Sequence, residues 1–240
     1  MLEVYDVNMR INRFIGDFDL SKDEVEIKNP ENINQIKNVL RLKKDDKIIL
    51  SDGKGVEAEV ILTFLSNEKI TGTIPTRART PLAQSKIVNL YLAILKKENF
   101  ELAVQKAVEV GVTTITPIIT ERTIKTGLNI PRLEKIILEA SEQCGRTTLP
   151  ELFDIFDFNE AINSQADEKI IFHTEKDTKD YAPNEKANSI NIFIGPEGGF
   201  TEKEIELAKN SGFSLASLGP LTLRGETAAI VATYRVVNGI

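Results

Sequence analysis

The stretch NIFIGPEGGFTEKEIELAKNSGFSLASLG, Asn191 to Gly219, holds a complete α/β unit. Asn191–Gly195 is a short apolar run that reads as a buried strand. A glycine-rich turn, IGPEGGF (Ile194–Phe200), leaves its end. Thr201 and Glu204 then stand at capping-box spacing, where each side chain accepts a hydrogen bond from the other residue's backbone N–H. They open the helix TEKEIELAKNSG, and FSLASLG (Phe213–Gly219) reads as the next strand. Apolar strands alternating with helices imply a mainly parallel sheet covered on both faces.

The same pattern extends outward on both sides. IVNLYLAIL (Ile87–Leu95), TTITPII (Thr113–Ile119) and KIIFH (Lys169–His173) read as strands. NFELAVQKAVEVG (Asn99–Gly111) reads as a helix with Leu102, Val104 and Val108 inward and Gly111 past its end. Asn129 caps a further helix, with Pro131 in its first turn, that runs to Gly145. ETAAIVATYRVV (Glu226–Val237) closes the chain as a helix. The first 74 residues are different. Lys47–Leu62 forms a hairpin candidate around Asp52-Gly53, a pair that tolerates the positive φ of a tight turn. Ile70–Ile74 is a further strand, and Glu31–Lys43 a helix with Ile33, Ile36 and Leu40 at three-to-four spacing. This part reads as a small β-barrel with one helix. Between the two regions lies PTRARTPLAQSK (Pro75–Lys86), a linker by its prolines and its lack of apolar periodicity. The expected organisation is a barrel domain over 1–74, a linker over 75–86 and an α/β domain over 87–240.

Composition narrows the functional classes. The 240 residues are 41% apolar and 28% charged, the profile of a folded globular chain. A chain of this length buries roughly 70% of its unfolded surface and needs no covalent staple. Its net charge of −6 excludes a strongly basic nucleic-acid coat, though not a basic patch. Residues 1–74 and the remainder each carry a net −3, so neither region is basic as a whole. Arginines and lysines nevertheless cluster at Arg10 and Arg13, at Arg41 with Lys43 and Lys44, and at Arg77 and Arg79. One cysteine, Cys144, and one histidine, His173, exclude an intramolecular disulfide, a zinc site on paired cysteines and a multi-histidine centre, so no metal is expected. The longest mostly apolar stretch, Ile87–Leu95, is nine residues; a membrane span needs about 20. MLEVYDVNMR lacks the apolar core of a signal peptide. The expectation is a cytoplasmic chain with no membrane partner.

Three segments carry candidate chemistry. IGPEGGF stands where ligands bind in open α/β sheets, beyond the carboxyl end of a strand. Its glycines permit close backbone approach and offer bare N–H groups. It is neither a P-loop, having no Lys-Ser/Thr after the glycines, nor a G-x-G-x-x-G fingerprint. An ordinary strand-to-helix turn remains the alternative. LGPLTLRGETAA (Leu218–Ala229) also links a strand to a helix, so the two loops would share one crevice; Arg224 within it is either a catalytic cation or a surface ion-pair residue. SEQCGR (Ser141–Arg146) ends a helix, and Cys144 reads better as a small buried thiol than as a nucleophile. His173, at a strand end, is either a polar cap or a ligand contact.

IGPEGGF, LGPLTLRGETAA, SEQCGR and ELAVQKAVEVGVTTITPIITERT, with MRINRF (Met9–Phe14), NVLRLKKDD (Asn38–Asp46) and the SDGKG turn, together resemble the ribosomal RNA small subunit methyltransferase E family. The likeness covers about residues 9 to 238. It implies a C-terminal α/β domain of the SPOUT superfamily with a deep trefoil knot, a topology that periodicity would never suggest. It also implies a PUA-like N-terminal barrel and a homodimer. The implied activity is S-adenosylmethionine-dependent methylation of N3 of a uridine in 16S rRNA of the small ribosomal subunit. By the same resemblance, the cofactor contacts fall on His173, on Gly195, Pro196, Glu197, Gly198 and Gly199, and on Leu218, Gly219, Pro220 and Leu223. Arg224 and Glu226 match the family's LR-x-ET signature and take the catalytic role. Arg10, Arg13, Arg41, Arg122 and Arg146 fall on basic positions facing RNA or the cleft. Leu221 and Asn99 stand where basic residues are usual, and Gly225 where Thr is common; Met1–Asn8 extend beyond the usual start.

Methyl transfer from a sulfonium needs positioning more than a covalent adduct. N3 of uridine is protonated at neutral pH, so a cation such as Arg224 would stabilise the anion that forms. Competing readings are a related knotted methyltransferase acting on tRNA or another RNA, a non-catalytic RNA-binding protein of the same fold, and a small-molecule enzyme of ordinary doubly wound fold.

Overall fold

The computed structural model describes residues 11–79, 86–174 and 178–240. The chain divides into two compact units: Met1–Leu82 with Ser141–Leu149, and Ala83–Ala140 with Pro150–Ile240.

The first unit is built on a five-stranded sheet of β1 (Asn12–Ile15), β2 (Glu24–Ile27), β3 (Lys47–Ser51), β4 (Val56–Leu65) and β5 (Ile70–Arg79), in the order β1-β3-β4-β5-β2. Only the β1–β3 pairing is parallel. Alternation along the strands turns Ile48 and Leu50, Val60 and Leu62, and Ile70 and Ile74 into one core with Phe14 and Ile36. Gly72 is needed where β4 and β5 press together, since a Cβ there would lie 2.3 Å from Val60 Cγ1 and 2.9 Å from the Ile61 carbonyl oxygen.

Three features of this unit differ from the sequence expectation. The helix starts on an Asn29 cap, whose Oδ1 accepts from the N–H groups of Glu31 (2.8 Å) and Asn32 (3.3 Å). It runs as α1 (Pro30–Asn34) into a π-helical turn, Gln35–Val39, and stops before Lys43 because Arg41 adopts a left-handed φ of 56°. The hairpin connection is four residues, Asp52 to Gly55, with Asp52 Oδ1 accepting from the N–H groups of Lys54 and Val56. The longer loop pairs with the returning segment: Gly55 N–H donates to the Thr147 carbonyl at 3.0 Å and Leu149 N–H to the Gly53 carbonyl at 3.1 Å. Finally, β5 takes in Pro75–Arg79, the first part of the expected linker. Ile74 and Pro75 together oppose Val60 in a bulge, which is where a strand accommodates a residue without an N–H. Most of the remaining linker lies outside the described residues.

The second unit is a seven-stranded, wholly parallel sheet: β6 (Ile87–Ala93), β7 (Thr114–Ile119), β8 (Glu151–Leu152), β9 (Phe156–Asp157), β10 (Glu168–Phe172), β11 (Ser189–Ile194) and β12 (Ser214–Ala216). The order is β12-β10-β11-β6-β7-β8, with β9 also on β7. From β6 the chain moves to β7 on one side, while β11, β10 and β12 extend the other. The order therefore reverses between β6 and β11. Its helices are α2 (Lys97–Glu109), the body of α3 (Ile130–Cys144), α4 (Phe158–Ala161), α5 (Glu202–Asn210) and α6 (Gly225–Asn238).

The two faces of the sheet bury separate cores. Ile190, Ile192 and Ile194 of β11 join α2 and α6 on one face. Phe193 turns to the other, packing with Phe158, Ile205, Ala208 and Phe213. On α2 the inward stripe is Phe100, Ala103, Val104, Ala107 and Val108, a run at three-to-four spacing. Leu102 lies off that stripe and is 41% exposed, so its expected inward position is corrected. Cys144 is also exposed rather than a buried thiol, because it ends α3 as the chain turns at Gly145, φ 82°.

Candidate active site

Five parallel strands, β6, β7, β10, β11 and β12, direct the segments beyond their carboxyl ends into one cleft of about 710 Å³. That size lies within the usual range for small-ligand sites, about 300–1,000 Å³. The cleft spans the order reversal between β6 and β11, where open α/β sheets take their ligands.

Its floor is the loop after β11. Gly195 allows the loop to fold back on Phe200, since a Cβ there would stand 3.0 Å from that ring. A turn from Pro196 to Gly199 closes through Gly199 N–H to the Pro196 carbonyl at 2.8 Å, with Gly199 at a φ of 68°. The neighbours brace it. Arg122, beyond β7, donates from Nη1 to the Gly198 carbonyl (2.7 Å) and to that of Phe200 (3.4 Å). Glu197 Oε1 accepts from Lys96 N–H at 3.2 Å. Thr201 and Glu204 form the expected capping box at α5, and Glu204 Oε1 also accepts from Glu121 N–H at 2.8 Å.

The entry to α6 forms another part of the wall. Arg224, the N-cap, is exposed, and its carbonyl accepts from Ala228 N–H at 2.8 Å. Gly225 is buried; a Cβ would meet Leu95 Cδ2 at 2.8 Å and the Gly195 carbonyl oxygen at 3.6 Å. Glu226 is 7% exposed, and its buried Oε2 has no hydrogen-bond partner among the described residues. Lys96 caps α2 as Arg224 caps α6, so two helix N-termini border the cleft and favour negative charge there.

The pattern of the RNA methyltransferase domain matches residues 83–237, and that of the RNA methyltransferase PUA domain matches residues 27–74. The ribosomal RNA small subunit methyltransferase E of Rickettsia conorii is 30% identical over 95% of this chain and 96% of its own length. That of Buchnera aphidicola is also 30% identical, over 94% of this chain and 92% of its own. The crystal structure of the Neisseria gonorrhoeae enzyme of that name, bound to S-adenosylmethionine, covers 93% of this chain and 95% of its own at 31% identity and a TM-score of 0.84. A Legionella pneumophila methyltransferase with bound S-adenosylmethionine reaches the same TM-score at 29% identity, over 94% of this chain and 96% of its own.

The chain belongs to the ribosomal RNA small subunit methyltransferase E family. Its expected site residues are not all brought together. His173, Gly195, Pro196, Glu197, Gly198, Gly199, Leu223, Arg122, Arg224 and Glu226 line the cleft; Leu218, Gly219 and Pro220 sit just upstream and are not among its lining residues. The other arginines lie elsewhere. In this member of the family Arg13 pairs with Glu57 inside the first unit. Arg41 is exposed. Arg146 is 8% exposed and donates to the Thr148 carbonyl at 3.2 Å; burial lowers its pKa, and the adjacent Cys144 opposes that shift. Arg10 lies outside the described residues. Gly225 lies on the expected crevice loop, whereas Lys96 is a wall residue that sequence reasoning missed. Lys96 follows a strand end directly, and that position was the available signal.

No helix among the described residues is long and apolar enough to cross a membrane. No group of three or more His, Cys, Asp or Glu among them is arranged to hold a metal ion.

Proposed function

We propose that this chain transfers a methyl group from S-adenosylmethionine to N3 of one uridine in 16S rRNA of the small ribosomal subunit. It would act in the cytoplasm as a homodimer. One observation carries the reading: a glycine cradle and Glu226, whose buried Oε2 has no partner among the described residues, line one cleft at the carboxyl ends of five parallel strands. In the same reading the first unit, with β5 running on to Arg79, forms a PUA-like barrel that recognises RNA, and the second unit a SPOUT domain whose loops pass through a trefoil knot.

The residues suit this cofactor. It is zwitterionic at one end and a flat heterocycle at the other. The backbone of Gly195–Gly199 offers polar groups without side-chain bulk, while Phe172, Ile194 and Leu223 supply apolar wall. His173, Leu218, Gly219 and Pro220 would complete the pocket. When bound, S-adenosylmethionine supplies an electrophilic methyl group. The chain's own task is then to align and to manage charge. Alignment of two held reactants supplies most of the expected acceleration. Arg224, exposed at the tip of α6, would stabilise negative charge on a uracil oxygen as N3 loses its proton, the logic of an oxyanion hole. A uridine within a helix would be extruded to reach the cleft.

For RNA, Arg41 with Lys43 and Lys44 is the best-supported contact group, because all three are exposed. Arg13 and Arg146 are engaged within the first unit, and Arg122 holds the glycine loop. With a net charge of −6, binding to naked RNA should be weak and fade steeply with salt.

Purified 30S subunits lacking the modification, incubated with methyl-labelled S-adenosylmethionine, test the proposal. Nucleoside mass spectrometry should find the label as 3-methyluridine in 16S rRNA. Label on another nucleoside, or only on added tRNA, would overturn it.

A further inference from the structure

The second carboxylate oxygen of Glu226 poses a problem of its own. The residue is 7% exposed, and Oε2 is buried without a partner among the described residues. A buried acceptor left unpaired costs about 1–3 kcal/mol, and more when charged. Natural interiors rarely retain one unless water, an ion or a ligand completes it, and at a residue lining a cleft a ligand is the relevant partner. Position two of α6 eases the burial of negative charge, because the free N–H groups of the first helical turn carry partial positive charge. An ionised carboxylate only accepts, so the ligand group that completes it must be a donor.

The other carboxylates nearby are already occupied. Glu197 is exposed and accepts from Lys96 N–H. Glu204 accepts from the N–H groups of Glu121 and Thr201 and from the Thr201 hydroxyl. Among the described cleft carboxylates, Glu226 alone keeps a buried acceptor in reserve, and it is two residues from Arg224.

Resting on the methyltransferase reading above, we infer that Glu226 Oε2 reads the N3–H of the target uracil and takes its proton. In that step the N3–H bond breaks and a bond between the proton and Oε2 forms. The bonding pair stays on N3, and the resulting anion is shared with O2 and O4, where Arg224 stabilises it. The same acceptor confers base choice. Uracil presents a donor at N3; cytosine presents a lone pair, which a carboxylate repels.

The test uses the full chain, wild type and Glu226→Gln, with 30S subunits carrying either uridine or cytidine at the target. Wild type should bind the uridine form at least about 10-fold more tightly, the scale of one discriminating hydrogen-bond pair. Glu226→Gln, whose amide can also donate, should lose that preference. Its single-turnover methylation should fall by about 10²–10⁴-fold, the usual loss on removing an acid–base group. Its calorimetric affinity for S-adenosylmethionine should stay within about twofold of wild type. Glu226→Asp, which keeps the carboxylate, should keep the uridine preference at a reduced rate, guarding against a folding defect in the Gln variant. A Gln variant that methylates at the wild-type rate with its preference intact would overturn the assignment alone. So would selective loss of cofactor affinity in a folded Gln variant, which would give Oε2 to a donor on the cofactor. If wild type forms no 3-methyluridine, the functional reading and this assignment fall together.

Discussion

The loop after β11 and the loop after β12 both leave strand ends of one sheet, yet they are held in opposite ways. The first, Gly195–Phe200, is tied at Gly199 to Pro196, at Gly198 to Arg122, at Glu197 to Lys96 and at its exit by the Thr201–Glu204 box. The second has Leu218 packed against the core but is hydrogen-bonded only at its ends. Ser217 N–H donates to the Lys179 carbonyl, and Arg224 accepts from Ala228 N–H. Between them, among the described residues, Leu218–Leu223 make no hydrogen bond, and Leu221 is 75% exposed. A tied loop is a preformed cradle. A loop without such ties can shift at lower cost when a ligand arrives. The proposed contacts of Leu218, Gly219 and Pro220 would form by such a shift, while the Gly195–Gly199 turn is built in advance.

Among changes to the two loops, breaking the proposed catalytic end of the second should have the largest effect. Arg224→Ala is expected to lower turnover by about 10²-fold or more while leaving cofactor affinity unchanged by calorimetry. Breaking the tie on the first loop comes next. Arg122→Ala removes hydrogen bonds from a charged donor, worth about 1.5–3 kcal/mol. It should weaken S-adenosylmethionine binding by roughly 10-fold or more and leave the affinity for 30S subunits and its salt slope unaltered. A fall in RNA affinity with normal cofactor binding would instead return Arg122 to a phosphate contact. Gly225→Thr probes the seam between the loops. Leu95 is buried and cannot retreat freely, so denaturant unfolding should show a loss of about 1–3 kcal/mol, partly restored by adding Leu95→Val. Thr201→Ala, which opens the capping box, should cost only about 1 kcal/mol in the same measurement and raise the cofactor KM slightly.

Much of this arrangement was legible in the amino-acid order. The apolar runs of β6, β7, β10 and β11 and the Thr201–Glu204 spacing depend on local patterns, and each formed where the pattern placed it. What depended on distant partners was not legible. Pro75 reads as a linker residue until Val60 stands opposite it in a bulge. SEQCGR reads as a helix end of the α/β region. Ser141–Leu149 instead group with the first unit, through Glu142 Oε1 accepting from Ile15 N–H and Thr147 O accepting from Gly55 N–H. Arg122 announces a charge but not that its guanidinium would hold a carbonyl 76 positions away. Glu226 could be matched to a signature, whereas its unpartnered Oε2 became visible only with the packing around it. Leu102 is the one error that periodicity alone could have prevented, since it falls outside the stripe from Phe100 to Val108.

The most direct test of the central claim is a crystal structure of the full chain grown with S-adenosylmethionine. Density for the cofactor should lie against Gly195–Gly199 and Leu223, with the 196–199 turn unmoved and the 218–223 segment newly packed over the ligand. Cofactor density outside this cleft, or a glycine turn rebuilt to admit it, would contradict the account.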